Sequence, residues 1–409
     1  MLQTRIAATR TLRKRSRTST VLVLGDHRQS VAVVRSLARA GHRVLVGVSG
    51  SRPPSARSRH AAGRWNHPPL AEGSKEPFRE ALARLLLDDE AISALFPVGE
   101  TEMQHFAREA ASLPRPVRLV MPDPAAVRTC AGASRCLDAA RDAGLTLPQT
   151  LPVWTRQDLA RGARAFGFPC VLKRASELGN VLGRKAILIR GQGELDEVLA
   201  RWADLPGGAL LQAFVPGPRT NFYFAARDGV LLDHLAVEVS RTDARDGTGL
   251  AVEGVTKEPT DSVLVQSAAL ASHLRYTGVG CAQFLTGPGE EQAVFLELNA
   301  RLGANCEIAV RSGLDLPRLA LELAGVGSPR PAPPARIRTG LRFASTSCDL
   351  AGLARAIRRH ELTAMEGFRW AGRAAGAALR ADTHTLWRWS DPLPALAWVG
   401  RELLRAVGR

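Results

Sequence analysis

The sequence predicts an α/β fold built from several layered units, and three patterns carry that prediction. A strand–helix–strand unit starts at Thr20, a strand–loop–strand unit follows at residues 168–189, and an antiparallel hairpin lies at residues 281–301. With 409 residues, 45% of them hydrophobic, the chain can bury a large core divided among two to four domains or subdomains.

The first unit is read from periodicity. Thr20-Val-Leu-Val-Leu-Gly25 is a buried strand, Ser30 to Ala40 is an amphipathic helix closed by Gly41, and His42-Arg-Val-Leu-Val-Gly47 is a second, parallel strand. Only Gly25 stands where a dinucleotide fold needs G-x-G-x-x-G, so a dinucleotide site is not expected. Ala94-Leu-Phe-Pro-Val-Gly-Glu100 is the next strand and loop. Loops at the carboxyl ends of parallel strands face the ligand crevice, which makes Glu100 and Glu102 candidate substrate contacts.

In the second unit, Phe168-Pro-Cys-Val-Leu-Lys173 is a buried strand ending in a lysine. The loop Glu177-Leu-Gly-Asn-Val-Leu-Gly-Arg-Lys185 and the apolar run Ala186-Ile-Leu-Ile189 follow. No G-x-x-x-x-G-K-[ST] occurs, so this is not a P-loop, and it reads instead as a lid whose backbone N–H groups cover a nucleotide between Lys173 and Lys185. The chain has five lysines against fifty arginines, and two of the five bracket this loop. A compact ammonium and a planar guanidinium are not interchangeable at a phosphate.

The hairpin carries the most chemistry. Cys281-Ala-Gln-Phe284 and Phe295-Leu-Glu-Leu-Asn-Ala-Arg301 flank the turn signal Gly287-Pro-Gly-Glu-Glu291, and strand alternation puts Glu297, Asn299 and Arg301 on one face. Oxygen ligands from Gln283, Glu297 and Asn299 suit a hard cation such as Mg²⁺ (or Mn²⁺), with Arg301 beside it for phosphate or carboxylate oxygens.

Composition removes rival chemistries. The six cysteines form no C-x-x-C pair and read as reduced core thiols. The nine histidines form no H-x-x-x-H or H-E-x-x-H, and no G-x-S-x-G is present, which leaves zinc hydrolysis and serine nucleophiles without support. No apolar run of about eighteen residues exists to span a membrane. The net charge of +16 concentrates in residues 1–20, 51–67 and 350–409. Arginine arms of this kind bind nucleic acid or anionic membranes, but no nucleic-acid motif accompanies them and aromatics are 5%, so a nucleic-acid partner is not expected. Residues 1–19 read as a basic disordered leader, a composition shared with transit peptides.

These motifs, in this order, resemble the ATP-grasp superfamily, whose members join a carboxylate to an amine or similar nucleophile through an acyl-phosphate. Within it the carbamoyl-phosphate synthetase large subunit is the nearest named relative, because it also has glutamine at the position of Gln283. The resemblance implies an ATP-grasp fold with an N-terminal Rossmann-like pre-ATP-grasp domain at residues 20–125, an ATP-grasp domain at 126–330 with its lid subdomain at about 150–212, and a small C-terminal α/β extension at 331–409. It implies ATP as cofactor, with Lys173, Lys185 and the hinge segment Leu210-Leu-Gln-Ala-Phe-Val-Pro-Gly217 around it, in particular Gln212, Phe214 and Val215. It also implies that Lys185 and Arg301 act on the transferred phosphate, near which the loop Arg241 to Gly249 lies.

The departures from the family pattern are specific. Gln212-Ala213 replaces an acidic residue in the hinge strand, and Thr220 and Asn221 stand where a carboxylate holds ribose. The helix Ala133 to Gly144 lacks the family's lysine near its start, with Arg135 as the substitute. The implied partners are small-molecule carboxylate and amine substrates, a homodimer is allowed, and the expected location is cytoplasmic. A non-catalytic ATP-binding sensor would fit the same residues. Ser328 to Ala335 reads as a proline-rich linker. After it come a strand (Ile337 to Ala344), helices, Asp391-Pro-Leu-Pro394, and a closing helix in which Leu396, Val399, Leu403 and Val407 share a face expected to dock on the body.

Overall fold

Three sheets organise the chain. In the computed structural model, residues 19–50, 53–70, 75–175, 181–202, 208–287, 292–330 and 336–406 are described. The expectations for residues 1–18, the first half of the lid loop, most of the hairpin turn, the linker's second half and Val407 lie outside them.

The first sheet contains β1 (Thr20–Leu24), β2 (Arg43–Val48), β3 (Gly63–Asn66), β4 (Ile92–Pro97) and β5 (Arg118–Leu119), in the order β3-β2-β1-β4-β5 and parallel throughout. Helices α1 (Arg28–Arg39), α2 (Glu76–Asp88) and α3 (Glu100–Glu109) cover it. This is the doubly wound arrangement that the apolar, near-continuous strands Val21–Leu24 and Val44–Val48 require, because both faces of each strand are buried. One expectation changes. The amphipathic helix α1 has no open polar face: Arg28, Gln29, Ser30, Arg35 and Ser36 are all buried. The cause is the C-terminal part of the chain, which lies on that face. Arg28 Nη1 donates to Ser345 Oγ at 3.2 Å, and Arg35 Nε donates to Asp391 Oδ2 at 2.8 Å.

Two helices, α4 (Pro124–Cys130) and α5 (Ala133–Asp142), lead to the second sheet. It holds β6 (Thr150–Val153), β7 (Cys170–Arg174), β8 (Ala186–Ile189) and β9 (Ala209–Ala213), in the order β6-β9-β7-β8, backed by α6 (Arg156–Phe166) and α7 (Gln192–Ala200). It has its own apolar cluster, including Val153, Leu159, Leu172, Ile189, Leu195 and Leu211. A capping box in which Thr155 and Asp158 bond each other's backbone N–H starts α6.

The third sheet is the largest. Its strands are β10 (Arg219–Arg227), β11 (Val230–Thr242), β12 (Ala251–Lys257), β13 (Gly278–Thr286), β14 (Ala293–Asn299), β15 (Arg342–Ala344) and β16 (Thr383–His384). They run β14-β13-β10-β11-β12-β15-β16. Helices α8 (Asp261–His273), α9 (Cys306–Ser312) and α10 (Leu316–Leu323) pack on it, and α11 (Thr346–Arg358), α12 (Ala364–Arg380) and α13 (Leu393–Ala406) complete the chain. One apolar cluster joins Val21 of the first sheet and Val33 of α1 to Tyr223, Val237, Cys281 and Phe343 of the third sheet, so those two layers share a core.

The C-terminal expectations are corrected in two respects. The strand expected from Ile337 to Ala344 is only Arg342–Ala344, and it pairs antiparallel with β12 inside the third sheet. The first half of the closing helix's expected docking face turns outward: Leu396 is 55% and Val399 42% exposed, while Ala395 is buried and Trp398 is partly buried. All six cysteines are buried, and none of them forms a disulfide. Burial pushes Cys170 up to about 11 and Cys281 up to about 12, the second helped by Glu297, so neither is a thiolate near neutrality.

Candidate active site

Cross-strand register builds the centre of the site. In the β13–β14 hairpin Cys281 pairs with Asn299 and Gln283 with Glu297, and a register shift follows at Phe284, which pairs with Phe295. Leu296 is therefore the extra residue of a bulge, a feature that re-aims the side chains beside it. On the neighbouring strand Asn221 sits opposite Gln283. Gln283, Glu297, Asn299 and Asn221 thus line one wall of a cavity of about 530 Å³.

The second sheet forms the opposite wall. Val171 and Leu188, paired across β7 and β8, offer an apolar surface, and Lys173 and Lys185 offer ammonium groups. The hinge closes one end with Gln212, Phe214 and Val215. Gln212 Nε2 donates to Thr150 Oγ1 at 2.9 Å, and Gly217, at φ 132°, brings the chain so near β13 that a Cβ would lie 2.4 Å from the Thr286 carbonyl oxygen. The loop after β11 closes another side through Arg241, Asp246, Thr248 and Gly249.

Electrostatics set the character of the cavity. Burial alone would raise the Glu297 carboxyl, but Lys185, Lys173, the 2.9 Å hydrogen bond from Asn299 Nδ2 and Arg301 hold it below the ordinary carboxylate range. Lys173 is lowered chiefly by burial, with Glu297 opposing. Arg301 Nε donates to Glu100 Oε2 at 3.0 Å, which ties the start of α3 in the first layer to the hairpin of the third. The Glu297 carboxylate thus sits among Lys173, Lys185, Arg301 and a fourth cation, Arg219.

Arg219 was not among the sequence candidates. It opens β10, donates from Nη1 to the Gly249 carbonyl at 3.0 Å, and is lowered chiefly by burial, with Glu297 opposing. Its Nε and the Oδ1 of Asn221 are buried without a hydrogen-bond partner. Such atoms cost free energy unless something in the cavity answers them. The available signal was an arginine heading a long apolar strand directly after Pro216-Gly-Pro218.

Ten of the eleven principal sequence candidates (Lys173, Lys185, Gln212, Phe214, Val215, Asn221, Gln283, Glu297, Asn299 and Arg301) therefore line this one cavity. Arg135 does not. Its guanidinium donates to the Arg128 carbonyl, and it lines a separate cavity with Arg108, Arg128 and Ala175. Thr220 points away from Asn221, its Oγ1 lying 3.4 Å from Thr286 Oγ1, because neighbouring strand residues alternate faces. Glu102 turns to His27 Nε2 at 3.7 Å instead of joining Glu100 beside Arg301. Among the described residues no three His, Cys, Asp or Glu side chains group as a metal cage. An oxygen donor set of Glu297, Gln283 and Asn299 suits a cation that keeps waters and substrate oxygens.

Comparison with known proteins agrees with this fold. Residues 251–329 match the family model "Carbamoyl-phosphate synthase L chain, ATP binding domain". No curated protein matches the chain. Among solved structures, an N5-carboxyaminoimidazole ribonucleotide synthetase in complex with ADP is 13% identical, with 85% of this chain and 87% of that chain covered and a TM-score of 0.65. The carboxyaminoimidazole ribonucleotide synthase of Aspergillus clavatus, complexed with ATP, is 16% identical over 80% of this chain and 82% of its own, at a TM-score of 0.63. The biotin carboxylase of Campylobacter jejuni is 16% identical over 80% and 74%, at 0.62. The chain has the ATP-grasp fold, and its residues 251–329 match the model of that ATP-binding domain.

Proposed function

We propose that the chain is an ATP-dependent ligase that joins a carboxylate to an amine or similar nucleophile, releasing ADP and phosphate. The observation that carries this reading is the half-buried Glu297 carboxylate among Lys173, Lys185, Arg219 and Arg301 in a cavity between the second and third sheets. A polyanion with its own cation is the ligand that such a charge pattern fits. The solved neighbours, ligases and carboxylases with bound ADP or ATP, support the same class.

In this reading the purine lies between Val171 and Leu188 and the third sheet, beside Gln212, Phe214 and Val215. Asn221, with its unanswered Oδ1, takes a hydroxyl of the ribose. Glu297, Gln283 and Asn299 hold Mg²⁺, which neutralises phosphate charge when bound. Lys173 and Lys185 grip the phosphate chain. Arg301, held by Glu100, and Arg219 stabilise the charge spread over the transferred group while the substrate carboxylate attacks in line. The amine then displaces phosphate from the acyl-phosphate. In this reading the first sheet is the pre-ATP-grasp domain, the second sheet the lid subdomain, and residues 331–409 a C-terminal extension.

The test is ADP release by the purified protein with Mg²⁺-ATP and pooled carboxylates and amines, beside Glu297→Ala. Substrate-stimulated release that the variant lacks supports a ligase. ATP binding with no stimulated release from any pool points instead to a nucleotide sensor.

A further inference from the structure

The C-terminal helices leave a patch that the nucleotide cavity does not use. Of the seventeen large apolar side chains exposed among the described residues, nine lie between residues 350 and 399, which concentrates the exposed apolar surface in one short stretch of chain. On α12, Met365, Phe368, Gly372, Ala375 and Leu379 recur at steps of three and four, so they form one stripe, and Phe368 is 77% and Leu379 88% exposed. The helix packs against the body with other residues. Ala374 and Ala377 are buried, and Trp370 Nε1 donates to Asp349 Oδ1 on α11 at 2.6 Å. A capping box between Thr363 and Glu366 fixes its start. Leu393, Leu396 and Val399 make a second exposed row on α13, and Trp389, 87% exposed, precedes it.

Charge decides what covers this surface. Residues 350–409 carry ten arginines against five acids, and on α12 the exposed Arg369 and Arg373 each follow a stripe residue, so they line one flank of it. A second copy of the chain packing through the same stripe would set this arginine row against its own equivalent. An anionic lipid surface answers both features: headgroup phosphates and carboxylates take the guanidinium groups, and the acyl boundary takes Phe368, Leu379 and the α13 row. No helix among the described residues is long and apolar enough to cross a membrane, so the contact is peripheral.

We infer that α12 and the exposed row of α13 form a docking surface for anionic lipid bilayers. The test is co-sedimentation of the full chain with phosphatidylcholine vesicles and with vesicles containing about one third phosphatidylserine, at low and moderate salt. The expected result is binding to the anionic vesicles alone, weakened by salt. Phe368→Ser with Leu379→Ser, and separately Arg369→Glu with Arg373→Glu, each lower the partition coefficient at least tenfold, with thermal melting unchanged because all four side chains are exposed. Three results would overturn the inference. One is no binding to anionic vesicles. Another is equal binding by both variants, which would move the contact to another basic segment such as residues 1–20. The third is a dimer that Phe368→Ser with Leu379→Ser converts to monomer, which would make a second copy the occupant.

Discussion

Two clusters of charge, one buried in the core and one lining the cavity, can be set side by side. Beneath α1, Arg35 meets Asp391 one to one: Nε donates to Oδ2 at 2.8 Å, Nη2 donates to the Asp391 and Leu386 carbonyls, and Ser58 Oγ and the Arg59 N–H complete the carboxylate. In the cavity, Glu297 lies among Lys173, Lys185, Arg219 and Arg301, with Glu100 holding Arg301 and Asp246 on another wall, and Arg219 Nε and Asn221 Oδ1 remain unanswered. The first cluster is closed inside the core and holds layers together, although Arg35 Nη1 is buried without a partner there too. The second spreads its cations around an open cavity, where an anion can meet them. Charge closed inside a core marks a joint, and charge that faces a cavity marks a ligand site.

The largest effect should separate the clusters by what each loses. Glu297→Ala is expected to lower turnover about 10³-fold, roughly the cost of removing one preorganised charge-stabilising group, with little loss of melting temperature. Asp391→Ala should do the reverse, destabilising the protein by about 3–5 kcal/mol because Arg35 is left buried without its carboxylate, as urea unfolding would read. If Asp391→Ala cost turnover and not stability, the distinction would fail.

The boundary of the cavity was legible where strand alternation carried it. The hairpin at residues 281–301 announced itself through two apolar runs around a glycine–proline turn, and its register brought Gln283 opposite Glu297. Arg219 was illegible because a single arginine at a strand start carries no periodic signal; only the approach of the loop at Gly249 turns it inward. The outward face of α13 failed for a different reason. Spacing identifies an apolar stripe on a helix but not which side of the helix the rest of the chain covers. Arg135 was placed by resemblance alone, and its local bond to the Arg128 carbonyl takes it elsewhere.

Smaller effects would sharpen the comparison. Arg219→Gln should weaken ATP binding about tenfold in calorimetry, near the value of one charge-assisted contact, while Arg135→Gln leaves it within about twofold. An equal loss in both would return Arg135 to the nucleotide site. The pH response should also distinguish the clusters. Burial opposes ionisation of Asp391, but Ser58 and Arg35 hold its carboxyl below the ordinary 3.8, so its contribution to stability is present above that value and is lost as the pH falls through the lowered one. The melting-temperature gap between the wild type and Asp391→Asn should therefore be constant from pH 5 to 7 and narrow below about pH 4. A gap that did not narrow would mean that ionisation of Asp391 is not what holds the layers.

The attachment of β15 to β12 bears on how the chain can be cut. A fragment ending near residue 330 would keep every proposed nucleotide contact, yet it would expose along β12 a row of backbone N–H and C=O groups that β15 now occupies. Sheets so opened recruit strands from other molecules. Such a fragment is expected to self-associate even with its cavity intact, so the last eighty residues act as the selvage that keeps the central sheet from fraying into its neighbours.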